Sequence, residues 1–229
     1  MTYQTRQLAR DLWAIEEEMV RCYLLHGSQG TLLIDACAHG GDAFRAAVRA
    51  IIGDAPLRVA ITHSDGDHTG GIAPEDTVLA HPAEYDRLGQ LGQTPYALTP
   101  LWDGEPLRAG ERVLEPVLIP GHTPGSIALL DRENRRIFTG DTISTGPVYM
   151  FGTGRNLPAY IESLKRLEAL GGAYDFFYTC HGTLETPRAQ GTAQRVCAEK
   201  VLAGELVGEA PGREMPCKVF SFGGASLLY

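Results

Sequence analysis

Leu57-Arg58-Val59-Ala60-Ile61 followed by Thr62-His63-Ser64-Asp65-Gly66-Asp67-His68 joins an apolar run of strand length directly to a polar loop. A buried strand that delivers a polar loop is a common way of placing reactive side chains at a sheet edge. Four side chains able to ligate a metal fall within the six residues from His63 to His68, too close together to act as isolated core or surface groups. Alternate positions of an extended or looped segment face one way, so one such loop can serve two adjacent ions. Imidazole nitrogen and carboxylate oxygen suit zinc, iron or manganese, and the lack of cysteine in the cluster argues against a structural thiolate site.

Three further stretches have the same form, a ligand-type residue directly after a strand-like run. They are Gly121-His122-Thr123-Pro124-Gly125, Thr139-Gly140-Asp141-Thr142 and Cys180-His181-Gly182. The runs that precede them are Arg112 to Ile119, Arg136 to Thr139 and Tyr174 to Thr179, with another strand expected over Ser126 to Asp131. Towards the N-terminus, strands at Leu12–Ile15, Val20–His26 and Thr31–Asp35 form an antiparallel meander with a Gly27-Ser28-Gln29-Gly30 turn.

The spacing of Phe44, Ala47, Val48, Ile51 and Ile52 predicts a helix after Asp42 as N-cap, stopping at Gly53. Thr77–Ala80 reads as strand, Pro82–Leu88 as a short helix, and Gly89–Pro106 as a long loop able to border a pocket. The stripe Leu157, Tyr160, Ile161, Leu164 and Leu167 predicts a helix from Asn156, with Pro158 in its first turn. Thr186-Pro187 is expected to open a last helix reaching Ala203, and Cys217–Tyr229 to supply one or two closing strands. Strands and helices thus alternate through two halves, Met1–Leu107 and Arg108–Tyr229, with no linker-like tract between them. The expected class is α/β (α+β), a single domain over residues 1–229 built as a four-layer αββα sandwich.

With 44% hydrophobic and 21% charged residues, the chain can bury a sizeable core unaided. The net charge of −8 speaks against a nucleic-acid partner, which would call for clustered Lys and Arg. Met1–Arg10 lacks a secretory pattern and no run reaches the length of a membrane span, so a cytoplasmic protein without membrane association is expected. The five cysteines are odd in number and lack Cys-x-x-Cys spacing, which fits free thiols acting as small buried hydrophobes. No G-x-S-x-G elbow, phosphate-binding loop or G-x-G-x-x-G fingerprint occurs, which removes support for serine hydrolase, nucleotide hydrolase and Rossmann readings.

Taken in order, these motifs resemble the pattern of the metallo-β-lactamase fold hydrolases, including the glyoxalase II and lactonase-like members. That pattern runs H-x-H-x-D-H, a distant His, an Asp after a strand and a final His. The resemblance covers nearly the whole chain and departs at Asp65, where most relatives carry a second histidine. It implies that His63, Asp65 and His122 hold one divalent ion, that Asp67, His68 and His181 hold a second, and that Asp141 bridges them. Asp35 resembles the family's early strand-terminal aspartate, which supports the loop rather than binding metal. Zinc is the first expectation for both ions, with iron or manganese made more competitive by the harder carboxylate of Asp65.

The resemblance implies a hydroxide shared by two ions that attacks an ester, thioester, lactone or lactam of a small molecule, with Asp67 orienting it. Arg155, in the segment that follows Asp141, is a candidate for binding a substrate carboxylate. Two alternatives stand beside this reading. One is a non-haem diiron oxidoreductase of the same fold, whose members carry an acidic residue at the Asp65 position but normally also a flavin-binding domain. The other is a non-catalytic, metal-stabilised scaffold. His26, His39 and His81 lie outside the motif and are expected to be ordinary structural histidines.

Overall fold

A computed structural model describes residues 2–90 and 97–229, and the chain divides into two compact units, Met1–Val117 and Leu118–Tyr229. The first unit carries β1 (Gln4–Ala9), β2 (Leu12–Glu17), β3 (Val20–Gly27), β4 (Gly30–Ile34), α1 (Asp42–Ile52), β5 (Leu57–Ala60) and a short α2 (Gly66–Thr69). It continues with β6 (Thr77–Ala80), a 3-10 turn over Pro82–Glu84, α3 (Tyr85–Gln90), β7 (Ala97–Pro100), β8 (Leu107–Ala109) and β9 (Arg112–Leu118). The seven strands β1 to β7 form one sheet in sequence order, antiparallel from β1 to β4 and parallel from β4 to β7. Parallel pairing requires crossovers, and α1 supplies the one between β4 and β5. Its apolar stripe, Phe44, Val48 and Ile52, is buried with Leu24, Leu33, Val59 and Val78 of the sheet.

The β8–β9 hairpin is bonded back onto the start of the same unit. Gly110 N–H donates to Gly30 O at 3.0 Å, and Gln29 N–H donates to Gly110 O at 2.8 Å. Arg112 makes a forked pair with Asp11, at 2.9 and 2.6 Å, where both side chains are nearly buried. These bonds place the boundary at Val117 rather than at the expected Leu107.

The second unit carries β10 (Ile127–Asp131), β11 (Arg136–Phe138), a 3-10 turn over Gly140–Thr142, β12 (Val148–Tyr149) and α4 (Leu157–Ala169). It ends with β13 (Phe176–Tyr178), β14 (Glu185–Pro187), α5 (Ala189–Leu202), β15 (Val219–Phe222) and β16 (Ala225–Leu228). Its strands run in the order β14-β13-β11-β10, with β11 and β13 parallel, and β12-β16-β15 make a smaller sheet. Asn156 caps α4 by accepting from Ala159 N–H at 2.9 Å, and Leu157, Tyr160, Ile161, Leu164 and Leu167 are buried as the stripe predicts. Among the described residues no helix is long and apolar enough to cross a membrane. All five cysteines are free thiols, and all but Cys217 are buried.

Several expectations are corrected. Residue 42 is the first residue of α1 rather than its cap, which is Gly41. The last helix does not begin at Thr186-Pro187. Those residues close β14, antiparallel to β13, and the helix starts after Arg188. A Pro on an edge strand needs no ladder donor, which is why the same dipeptide fits either element.

The strand β1 was not expected, because Gln4-Thr5-Arg6-Gln7 has no apolar alternation. It exists as an exposed edge strand on the open side of β2. Part of the expected loop over residues 89–106 is regular structure, since Gly89 and Gln90 end α3 and Ala97–Pro100 pairs with β6. Residues 91–96 of that loop lie outside the described residues.

Candidate metal centre

Within the first unit the four motif residues sit where β5 ends, and their geometry begins at Asp35. This residue follows β4, is fully buried and adopts the left-handed region (φ 61°), which Asp tolerates better than most residues. Its carboxylate accepts from Thr62 N–H at 2.7 Å, from the Thr62 hydroxyl at 2.9 Å and from His68 Nδ1 at 3.0 Å. A carboxylate only accepts, so Thr62 O–H must point at Asp35, and Thr62 Oγ1 is left to accept from His63 Nδ1 at 3.0 Å. One buried charge therefore places the proton of both imidazoles on Nδ1, so each Nε2 presents a lone pair.

Those lone pairs face carboxylates. His63 Nε2 lies 3.5 Å from Asp65 Oδ2 and His68 Nε2 lies 3.9 Å from Asp67 Oδ1, with the two rings 4.1 Å apart. Electron-rich atoms held this way repel one another unless a cation or an extra proton sits between them.

The loop is braced by α3 and the turn before it. Fully buried Glu84 accepts from Ser64 N–H at 2.8 Å and from the Ser64 hydroxyl, while Arg87 Nη2 donates to Asp65 Oδ1 at 2.6 Å. After His68 the chain packs back on the segment that follows Asp35, with His68 O accepting from Ala36 N–H and Gly70 N–H donating to Cys37 O. At Gly70 a Cβ would lie 2.0 Å from Ala38 O, so only glycine permits that approach.

Within the second unit Asp141 occupies the 3-10 turn after β11 and lies between two histidines. Its Oδ2 is 3.7 Å from His122 Nε2 and its Oδ1 is 3.2 Å from His181 Nε2. His122 Nδ1 donates to the Tyr149 carbonyl at 2.9 Å, and a carbonyl cannot donate, so in the neutral ring Nε2 is the nitrogen that carries the lone pair. Tyr160 on α4 donates its hydroxyl to Thr142 O at 2.8 Å and so pins the turn that carries Asp141. Burial pushes this phenol far up, and it remains a donor throughout the working range. Arg155 donates from Nη1 to the His122 carbonyl at 2.5 Å, which commits one arm of the candidate substrate residue to shaping the His122 loop.

The donor set in each unit thus fits divalent metal: the imidazoles of His63, His68 and His122 have Nδ1 held by a supporting partner and Nε2 turned to carboxylate oxygen. The structure brings His63, Asp65, Asp67 and His68 together in one unit, and His122, Asp141 and His181 in the other. Thr62, Glu84, Arg87, Tyr149 and Tyr160 hold these ligands and were not recognised in the sequence. No local signal marks Glu84, Arg87, Tyr149 and Tyr160, which act on residues they meet only through the fold, and Thr62, although next to His63, is oriented by Asp35 from 27 residues away. His26, His39 and His81 have structural partners: Thr31 Oγ1, the buried Glu17 carboxylate and the Ala83 backbone N–H.

An α/β chain whose strand ends carry such histidines and carboxylates belongs to a recognisable class of metal-binding proteins, and comparison with known proteins gives it a family. The family model described as the metallo-beta-lactamase superfamily matches residues 15–181. The chain belongs to the metallo-β-lactamase superfamily and has its fold.

The chain is 29% identical to the acyl-coenzyme A thioesterase MBLAC2 of Gallus gallus, over 65% of this chain and 66% of that protein. It is 30% identical to the alpha subunit of 2,4-dinitroanisole O-demethylase from Nocardioides sp. (strain JS1661), over 74% of this chain and 55% of the relative. The chain therefore spans between about half and two thirds of the length of these relatives. Among solved structures, a metallo-β-lactamase from Pontibacter korlensis superposes with a TM-score of 0.73 at 13% identity. It covers 86% of this chain and 99% of its own. That likeness speaks for the fold alone.

Proposed function

We propose that residues 1–229 act as one metal-dependent hydrolase that holds two divalent ions. In this reading His63, Asp65 and His122 hold the first ion, Asp67, His68 and His181 hold the second, and Asp141 is shared. The observation that carries it is the common orientation of the imidazoles. His63, His68 and His122 each have Nδ1 occupied by Thr62, Asp35 or the Tyr149 carbonyl and turn Nε2 towards a carboxylate. Asp141, with one oxygen towards each of two histidines, has the disposition of a shared ligand.

When bound, such ions supply Lewis acidity, activating water at neutral pH and polarising the bond to be cut. The protein's own part is to fix the ligands and to handle a proton. Asp67 is more exposed than the other carboxylates of its loop, with 40% of its side chain accessible, which suits it to orient the attacking water. The substrate class is an ester, thioester, lactone or lactam of a small molecule. The thioesterase among the relatives makes an acyl thioester the first compound to assay. Zinc is the first metal expected, with iron or manganese next.

Elemental analysis with a panel of thioesters, oxoesters and lactones tests the proposal. Two ions per chain with turnover is the expected result. Asp141→Ala should lose at least one ion and on the order of 10³-fold in turnover, the equivalent of several kcal/mol of transition-state stabilisation. Wild-type metal content and rate in that variant would refute the shared ligand. Iron with oxygen consumption and no hydrolysis would replace the proposal with redox chemistry.

A further inference from the structure

We propose that Arg87 sets the affinity of the first metal position by competing with the ion for the Asp65 carboxylate. The inference rests on the metal centre proposed above and concerns the one position where this chain departs from the family motif.

An aspartate at position 65 adds a negative charge where a neutral imidazole would stand. Arg87 returns a positive charge to the same place, 2.6 Å from Asp65 Oδ1, while Oδ2 faces His63 Nε2 at 3.5 Å. The carboxylate is thereby divided, one oxygen towards a guanidinium and the other towards the ligand cluster. Asp65 caps the N-terminus of α2 in extended conformation, yet its side chain makes no capping bond, so its orientation is set from outside its own turn.

The outside element is α3 with the turn before it. Glu84 and Arg87 lie three residues apart and grip consecutive loop residues, Ser64 and Asp65. Glu84 fixes the loop backbone, and Arg87 fixes the ligand's charge. As a pair, Asp65 and Arg87 are close to electrically neutral, so the position is less anionic than its residue type suggests. A guanidinium hydrogen-bonded to one carboxylate oxygen lowers what that carboxylate can offer an ion, by roughly tenfold for a charge-assisted bond of ordinary strength. Arg87 is thus an affinity-setting residue rather than a catalytic one, and it leaves the first position the weaker of the two.

The test is a titration of the metal-stripped full chain with zinc, and separately with manganese, against a chromophoric chelator. The wild-type chain should take up two ions of unequal affinity, the weaker lost in His63→Ala. Arg87→Gln should tighten that weaker ion by about tenfold, by freeing the Asp65 carboxylate, and leave the tighter one unchanged. Arg87→Lys, which keeps the charge but not the planar fork, should fall between. In an Asp65→Asn background Arg87→Gln should have no effect, which a general loss of loop order would not reproduce. Thermal unfolding of each stripped variant reports on folding.

Unchanged or weakened binding in Arg87→Gln overturns the proposal, as does equal tightening in the Asp65→Asn background. A wild-type chain that takes up no ion sinks the metal centre itself, whereas two ions with Arg87→Gln unaltered sinks only the role of Arg87.

Discussion

Replacing Asp35 by Asn separates support of the metal ligands from mere packing. The substitution keeps size and tolerance of the left-handed backbone, so φ 61° adds little strain. It removes the charge that accepts from Thr62 N–H, Thr62 O–H and His68 Nδ1–H. If the new amide oxygen stays with Thr62 N–H at 2.7 Å, the NH2 group turns towards His68 Nδ1, donor against donor.

A buried donor left unsatisfied costs about 1–3 kcal/mol, and weakening the remaining charge-assisted bonds brings the total to roughly 3 kcal/mol. For a chain of this size that is a fall of about 6–12 °C in Tm. The protein can relieve the clash by moving the His68 proton to Nε2. Nε2 is the atom proposed to bind metal, so relief of the clash comes at the expense of affinity. Metal affinity should then drop by about 10–100-fold, the usual consequence of losing an outer hydrogen-bond partner of a ligating histidine.

The assay pairs thermal unfolding of the stripped protein with zinc titration and with nitrogen NMR of the His68 ring. Asp35→Ala, which adds backbone strain at the left-handed position, serves as a harsher control. Wild-type zinc affinity together with an unmoved tautomer in Asp35→Asn would refute the chain of reasoning from Asp35 to Nε2.

Two further substitutions probe the scaffold. At Asp11, burial alone would raise the carboxyl, but the hydrogen bonds and charge of Arg112 and the Glu111 N–H outweigh it and hold the pKa below the ordinary carboxylate value. A depressed carboxylate contributes stability that is present above roughly pH 4 and lost as pH falls through the folded value. Asp11→Ala should therefore cost about 3 kcal/mol at neutral pH by stranding the buried Arg112, and should flatten the acid limb of a stability–pH curve measured by denaturant titration. An unchanged acid limb would count against this pair. At Gly121 (φ 140°) a Cβ would lie 2.5 Å from Tyr160 N, a backbone atom that cannot yield cheaply. Gly121→Ala should destabilise by about 2 kcal/mol or more and disturb the adjacent His122. Unaltered Tm and metal uptake would show that the backbone moves more freely than its packing implies.

Much of this protein was legible in its linear sequence because the relevant signals are local. Strand β6 is found over the four residues expected, and α4 starts at the expected cap Asn156. Both depend on apolar periodicity and on a side chain acting within its own turn. The histidines and aspartates are equally visible, since ligand-type residues directly after strand-like runs form a pattern that needs no fold to be noticed. Strand β1 and strand β14 were not legible. An exposed edge strand is created by a neighbour's unpaired backbone, and Thr186-Pro187 suits a helix start as well as an edge.

What only the tertiary structure decided is how the ligands are held. Asp35 meets His68 across 33 residues, Arg87 meets Asp65 across 22, and Tyr149 meets His122 across 27. Residue type declares that an imidazole can bind metal. Which nitrogen keeps the proton, and which carboxylate oxygen is shared with an arginine, depends on neighbours that only chain folding supplies.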